Sequence, residues 1–393
     1  MAGQPAIDGI RAFEAELVAI RHDLHAHPET AFEEQRSAGL VAGHLEAWGL
    51  TVHRGLAGTG VVATLRAGRS GRAIGLRADL DALHVAELNN FGHRSRHDGR
   101  MHACGHDGHT TMLLGAARHL AATRHFDGTV HFIFQPAEEN EGGGAVMLRE
   151  GLFDRFPVDT VFGMHNWPGM PAGEFGLRAG PFMAGFNTFE ITVTGRGAHA
   201  AMPQQGVDPV VAGSDLVQAL QTLVSRNVSP LDAAVVTVTQ FHAGDAWNVI
   251  PSQAVLRGTT RAFTPAVQDQ LEDGMRRVCA GIGTAHGCEV ELRYERRYPP
   301  LVNSEAEART ARAVLEDLVG ADKVHWDCPP TMGGEDFAFM LQAKPGCYVF
   351  IGNGPGDGGR LLHSPRYDFN DGILALGASY WVRLVEHCLP AAR

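Results

Sequence analysis

Lysine is nearly missing from this chain: among 393 residues only Lys323 and Lys344 occur. Arginine carries the positive charge, and acidic residues exceed both cations together, 44 Asp plus Glu against 33 Lys plus Arg, for a net charge of −11. A surface of that sign repels phosphate backbones and anionic headgroups, so neither nucleic acid nor a membrane surface is an expected partner. Long apolar runs are missing too. No segment approaches the roughly 18 uncharged apolar residues of a spanning helix. The opening MAGQPAIDGIRAFEAEL lacks a basic stretch followed by an apolar one, so the expectation is a cytoplasmic protein. Cysteine is sparse. Cys104, Cys279, Cys288, Cys328, Cys347 and Cys388 form no C-x-x-C pair and are too dilute for a disulfide scaffold, which implies reduced thiols.

What the chain has is apolar material, 44% against 20% charged, enough for packed cores rather than a disordered ensemble. Its length fits two or three domains at about 150 residues each. Histidine is abundant: there are 21, and fourteen lie at or before His131. That crowding points to a site built largely from the first third of the chain.

Helical and strand patterns alternate over the first 180 residues. Ile10, Phe13, Leu17, Ile20 and Leu24 recur at three and four residues and predict one helix ending near Pro28; a second runs to Trp48, with Gly49 as its stop. Apolar runs VVATL from Val61, AIGL from Ala73, TVHFIF from Thr129 and TVFGM from Thr160 read as buried strands, separated by helical stretches such as TTMLLGAARHL from Thr110. The fold class is α/β with a mostly parallel sheet, in which ligands gather beyond the carboxyl ends of strands. Asp79 and Asp81, Gln135 to Glu139, and His165 all fall just past predicted strand ends. Residues 187–296 follow a different order, βαββαβ, which is the ferredoxin-like unit. The expected organisation is therefore a domain of residues 1–186 and 297–393 interrupted by an inserted domain at 187–296.

The densest chemistry lies in MHACGHDGH, where Cys104, His106, Asp107 and His109 fall within six residues in a predicted loop before a helix. A thiolate and imidazoles so close together can converge on one metal ion; the plainer reading makes Asp107 or Thr110 a helix cap. In QPAEENEGGG, Glu138 and Glu139 stand side by side after a strand. Two such carboxylates are comfortable together only beside a cation, and one can ligate while the other moves a proton; a solvated acidic loop is the plainer reading. His165 in GMHNWPG and His363 in LLHSPRYDFND each follow a predicted strand, and it is the repetition of donors along one sheet edge that gives each of them weight.

These motifs, taken in order, resemble the M20 peptidase and aminoacylase family, in its amidohydrolase branch of hippurate hydrolases, aminoacylases and auxin-conjugate hydrolases. RHDLHAHPETAFEE, LRADLDALH, FGHRSRHDGRMHACGHDGHTTMLLGAA, FIFQPAEENEGGG, MHNWPG, GRGAHAAMPQQGVDP, GTTRAF, GGEDFAFM and HSPRYDFND carry the resemblance over nearly the whole chain. The resemblance implies a dinuclear catalytic domain with an inserted lid and dimerisation domain. It implies two divalent ions per subunit (Zn, Mn, Co or Ni), held by Cys104, His106, Glu139, His165 and His363. Glu138 would be the general base toward water, and His199 would stabilise the oxyanion, often across a dimer interface. Asn248 and Arg261 would contact substrate, Arg261 as a clamp for a carboxylate, and Asp79 and Asp81 would act from behind the ligands. The implied reaction is hydrolysis of N-acyl amino acids by a homodimer or homotetramer, with a carboxypeptidase, dipeptidase or amino-acid-conjugate hydrolase as the alternative. The motif after Asp81 departs from the family's A-L-P, since Ala82 and Leu83 are followed by His84. Two other classes stay open: Cys104 as a nucleophile paired with a histidine, and a non-catalytic metal-binding protein that keeps the fold.

Overall fold

The computed structural model describes residues 7–139 and 141–391. The chain divides into two compact units, one of Met1–Gly180, Val302–Pro329 and Asp336–Arg393, the other of Pro181–Leu301 and Pro330–Glu335.

The first unit is built on a mixed sheet whose four central strands, Gly128–Gln135, Ala73–Asp79, Thr160–Pro168 and Gly346–Gly354, are parallel neighbours. Thr51–Leu56 and Gly60–Ala67 extend one side as antiparallel strands. The other side carries Phe175–Leu177, antiparallel to its neighbour, and then Val324–Trp326, parallel again. The central strands read as unbroken apolar runs because both of their faces are covered. The helix His106–Thr123 is buried over most of its length, and at Gly115 a side chain would meet Leu17 and Ala378 of the helices Glu14–Ala26 and Leu374–Cys388. Burying each Leu or Phe of this core contributes about 1.5–3 kcal/mol, which fixes the strand ends that bear the site.

Two expectations need correction. The predicted first helix is interrupted: Asp8–Arg11 ends at Ala12, and Glu14–Ala26 starts anew after Phe13. His165 does not follow a strand but lies within Thr160–Pro168, because pairing with Gly346–Gly354 carries that strand through Trp167 and Pro168.

In the second unit, Gly185–Thr194, Ala234–Ala243, Gln253–Ala262 and Glu289–Tyr298 form an antiparallel sheet. With the helices Pro209–Thr222 and Pro265–His286 they complete a βαββαβ order. Alternate residues of Gly185–Thr194 are buried, as a sheet with one covered face requires. Both helices begin at proline behind a capping side chain: Asp208 accepts the Val210 N–H and Thr264 the Val267 N–H.

Candidate active site

Four chain segments of the first unit converge beyond the carboxyl ends of its parallel strands. Cys104 precedes the helix His106–Thr123, Glu138 and Glu139 follow Gly128–Gln135, His165 stands in Thr160–Pro168, and His363 lies in the loop after Gly346–Gly354. Donor atoms of Cys104, His106 and His165 lie within 4.8 Å of one another, as do those of Cys104, Glu139 and His363, and those of His106, Glu138 and Glu139. The first two sets share Cys104, and the third joins them through His106 and Glu139. Cys104 Sγ is 3.3 Å from His165 Nε2, and His363 Nε2 is 3.1 Å from Glu139.

His106, His165 and Glu139 are each held by a neighbour. His106 donates Nδ1–H to the Asp81 carbonyl at 2.8 Å, so Nε2 is the nitrogen left to face a ligand. That Nε2 is buried, makes no hydrogen bond, and faces carboxylate oxygens of Asp79 at 3.8 Å and Glu139 at 4.0 Å. His165 donates Nδ1–H to the Asn166 carbonyl at 2.6 Å, which turns Nε2 toward Cys104. The Asp81 carboxylate accepts the Glu139 N–H at 2.9 Å. His109 has no nitrogen to spare, since Nδ1 donates to Asp79 at 2.7 Å and Nε2 accepts the Asn166 N–H at 2.9 Å.

The start of the helix explains why glycine sits among the donors. Gly105 is its N-cap at φ 99°, and a Cβ there would overlap the Asn166 amide and the Tyr367 hydroxyl. His106, Asp107 and His109 therefore belong to the first helical turn rather than to a loop. Neither Asp107 nor Thr110 is the N-cap. Asp107 accepts the Gly108 N–H but turns its other oxygen to His25, and Thr110 donates to the Asp79 carbonyl. His84, where the family's motif has proline, is exposed, and its segment is held by paired bonds between Leu83 and Met101. The ligand loop thus does not depend on a proline there.

Charge in the pocket is unbalanced. Burial pushes the Cys104 thiol well above its usual range, and Glu139, Glu138 and Asp79 add to the effect. Burial, reinforced by His109, holds His165 well below the ordinary imidazole range. Burial also disfavours charge on His106, but Asp79, Asp81 and Glu139 outweigh it and push that imidazole up to about 10. A pocket that suppresses its thiolate and protonates an imidazole among carboxylates suits divalent cations, which would favour the thiolate and take up the unbonded Nε2. The thiol, imidazole and carboxylate donor set fits such ions.

Several residues of this site lie within the quoted motifs without a role assigned to them there. Arg77 is buried, with its guanidinium on Asp79 at 2.8 Å, Gln135 at 2.9 Å and Asp336 at 3.0 Å. Asp336, from GGEDFAFM, also accepts the Gly144 N–H at 2.8 Å and donates its own N–H to Glu138 at 3.4 Å. Asn166 donates to the Cys104 carbonyl at 2.6 Å and accepts from Tyr367 at 2.8 Å. Arg77 lies in LRADLDALH, Asn166 in MHNWPG and Asp336 in GGEDFAFM, so membership of a motif was the available signal.

The remaining predicted residues belong to the second unit. His199 pairs with Val249 in a short ladder, and the Ala200 N–H reaches the Asn248 carbonyl at 3.0 Å, so His199 and Asn248 are neighbours. Arg261 lies over the Phe186 ring at 4.1 Å and donates to the Thr260 carbonyl at 3.1 Å.

Comparison with known proteins decides the family. The model of peptidase family M20/M25/M40 matches residues 75–387. The chain belongs to this family. Among its relatives, a hippurate hydrolase of Campylobacter jejuni is 39% identical over 378 residues, 96% of this chain and 98% of that protein. An N-acetylcysteine deacetylase of Bacillus subtilis is 37% identical over 376 residues, 95% of this chain and 97% of that one. A dinuclear metal-binding M20 peptidase of Bacillus subtilis, known as a crystal structure, superposes with a TM-score of 0.84 at 33% identity over 97% of this chain and 100% of that one. Among the described residues, no helix is long and apolar enough to cross a membrane.

Proposed function

We propose that this M20 family member is a metal-dependent amidohydrolase that cleaves N-acyl amino acids to a carboxylic acid and a free amino acid. The observation that carries the reading is the unlike placement of two adjacent carboxylates. Glu139 reaches His363 and faces His106, whereas Glu138 is buried and takes the Asp336 N–H. A purely structural metal site closes its shell and has no use for a second, separately held carboxylate. Relatives named hippurate hydrolase, N-acetylcysteine deacetylase and N-acyl-L-amino acid amidohydrolase support the substrate class.

Cys104, His106, Glu139, His165 and His363 would hold two divalent ions; thiol and imidazole donors favour Zn, Co or Ni, and imidazole with carboxylate also admits Mn. When bound, such ions supply Lewis-acid charge and bring the pKa of water toward neutrality. Glu138 accepts the proton of the attacking water and later delivers it to the leaving amine nitrogen. His199 donates toward the carbonyl oxygen as negative charge develops there. Arg261 pairs with the free carboxylate of the amino acid through its planar fork, and Asn248 orients the amide. Residues 1–186 and 297–393 would form the catalytic domain and 187–296 a lid that also joins subunits into a homodimer or homotetramer, acting in the cytoplasm. A thiol raised by burial is a poor nucleophile, which weighs against covalent catalysis by Cys104.

The test is turnover of hippurate, N-acetyl-methionine and N-acetylcysteine by metal-reconstituted protein. Chelation is expected to abolish activity and Mn, Zn, Co or Ni to restore it. Glu138→Gln is expected to keep its metal and lose at least about a hundredfold in kcat. Activity that resists chelation but falls to a thiol alkylator would overturn the proposal.

A further inference from the structure

Between the strand Gly128–Gln135 and the paired carboxylates the chain passes through Ala137, which is fully buried and stands at φ 54°. A residue with a Cβ avoids that left-handed conformation unless its surroundings impose it. The surroundings here are specific. Glu34, from HPETAFEE, accepts the Ala137 N–H on Oε1 at 2.9 Å, and from the other side the Ala137 carbonyl accepts the Gly143 N–H at 2.9 Å. The same Oε1 takes the N–H of Phe32 at 3.0 Å, itself left-handed at φ 61°, and Oε2 takes the Thr59 hydroxyl at 2.6 Å. Glu34 is fully buried and belongs to none of the donor groups of the site. Burial pushes its carboxyl up to about 7.

We infer that Glu34 is a positioning residue for the base: by holding the Ala137 N–H it keeps the peptide before Glu138 in its left-handed turn and so sets the direction in which Glu138 enters the site. This rests on the reading of Glu138 as the general base. Released from Glu34, Ala137 relaxes toward the conformations its side chain prefers, and the rotation is passed directly to Glu138. A hydrogen-bond acceptor at this position is what the turn requires, and negative charge is not. A glutamine fills the same space: its carbonyl accepts the two N–H groups, and its amide donates to the Thr59 hydroxyl, which can accept as well as donate.

The experiment compares metal-loaded wild type, Glu34→Ala, Glu34→Gln and Glu138→Gln by kcat, KM, metal per chain and thermal midpoint. Glu34→Ala is expected to lower kcat by about tenfold or more with KM within about threefold and metal unchanged, the range of a lost orienting contact. Glu34→Gln is expected to keep at least about a third of kcat. The inference is overturned if Glu34→Ala keeps wild-type kcat and loses only thermal stability, or if both Glu34 variants lose activity equally. Should Glu34→Ala not fold, Thr59→Val, which removes the donor to Oε2, is expected to lower kcat about threefold at constant KM, and an unchanged kcat overturns the inference. Wild-type turnover by Glu138→Gln would sink the base reading itself, whereas its loss beside an active Glu34→Ala sinks only the positioning role.

Discussion

The unit that begins with residue 1 holds two crowded sets of imidazoles, and they differ in what their nitrogens face. In one, His106 and His165 each use Nδ1 on a backbone carbonyl and present Nε2 to a thiol or carboxylates. In the other, His25 bonds Asp107 at 2.8 Å through Nδ1 and Glu87 at 3.4 Å through Nε2. His22 bonds Asp371 at 2.8 Å and stacks on His93 at 3.8 Å, while His93 faces Arg21 and Asp368. His102 leaves both nitrogens without hydrogen bonds, yet belongs to no group of three donors among the described residues. Crowding is common to both sets; among the described residues only the first supplies histidines to groups of three donors that could hold a cation. The second set is cross-linked by Arg21, whose guanidinium meets Asp107, Asp368 and Asp371, and its histidines are expected to serve stability.

The sharpest way to break that contrast is His106→Ala, which should remove at least one metal ion per chain and lower kcat/KM by at least about a hundredfold, measured by metal analysis and steady-state kinetics. His25→Gln should do the reverse: metal content and kcat nearly unchanged, but unfolding free energy lower by about 2–4 kcal/mol in denaturant titration, because Asp107 loses a buried cationic partner. Its pH dependence has a definite sign. Burial opposes charge on His25, but Asp107 and Glu87 outweigh it and raise the imidazole to about 9. A raised folded pKa gives stabilisation that is full below the unfolded value of about 6.5 and is lost as pH rises through about 9, so wild type should lose more stability over that window than His25→Gln. The smallest effect is expected at His22→Gln, where both partners are about a third exposed: a stability change within about 0.5 kcal/mol and no change in metal. If His25→Gln released metal while His106→Ala retained it, the two sets would have to exchange roles.

Much of the fold was legible because its signals are local. The βαββαβ order expected over residues 187–296 is found between Gly185 and Tyr298, since the switch between strand and helix patterns is written in neighbouring residues. The candidate donors were named through the resemblance of short ordered motifs, and Cys104, His106, Glu139, His165 and His363 do lie close enough to form donor groups. What stayed hidden depends on distant pairs. Nothing near Glu34 announces that it holds Ala137, and nothing near Arg77 announces Asp336, because those contacts exist only once the sheet has formed. The break at Ala12 was missed for the opposite reason: the apolar period runs through it unchanged, while the backbone does not.

Gly105 carries a consequence for how variants of this chain should be judged. It supplies no donor atom, so any inventory of ligands passes over it, yet every other amino acid would wedge the helix start away from Asn166 and Tyr367, the pair that seats Cys104. A substitution at that position would displace the helix start while leaving all five candidate donors spelled correctly. Intact ligand spelling is therefore a poor certificate of an intact centre, and the residue most worth checking is the one with no side chain to inspect.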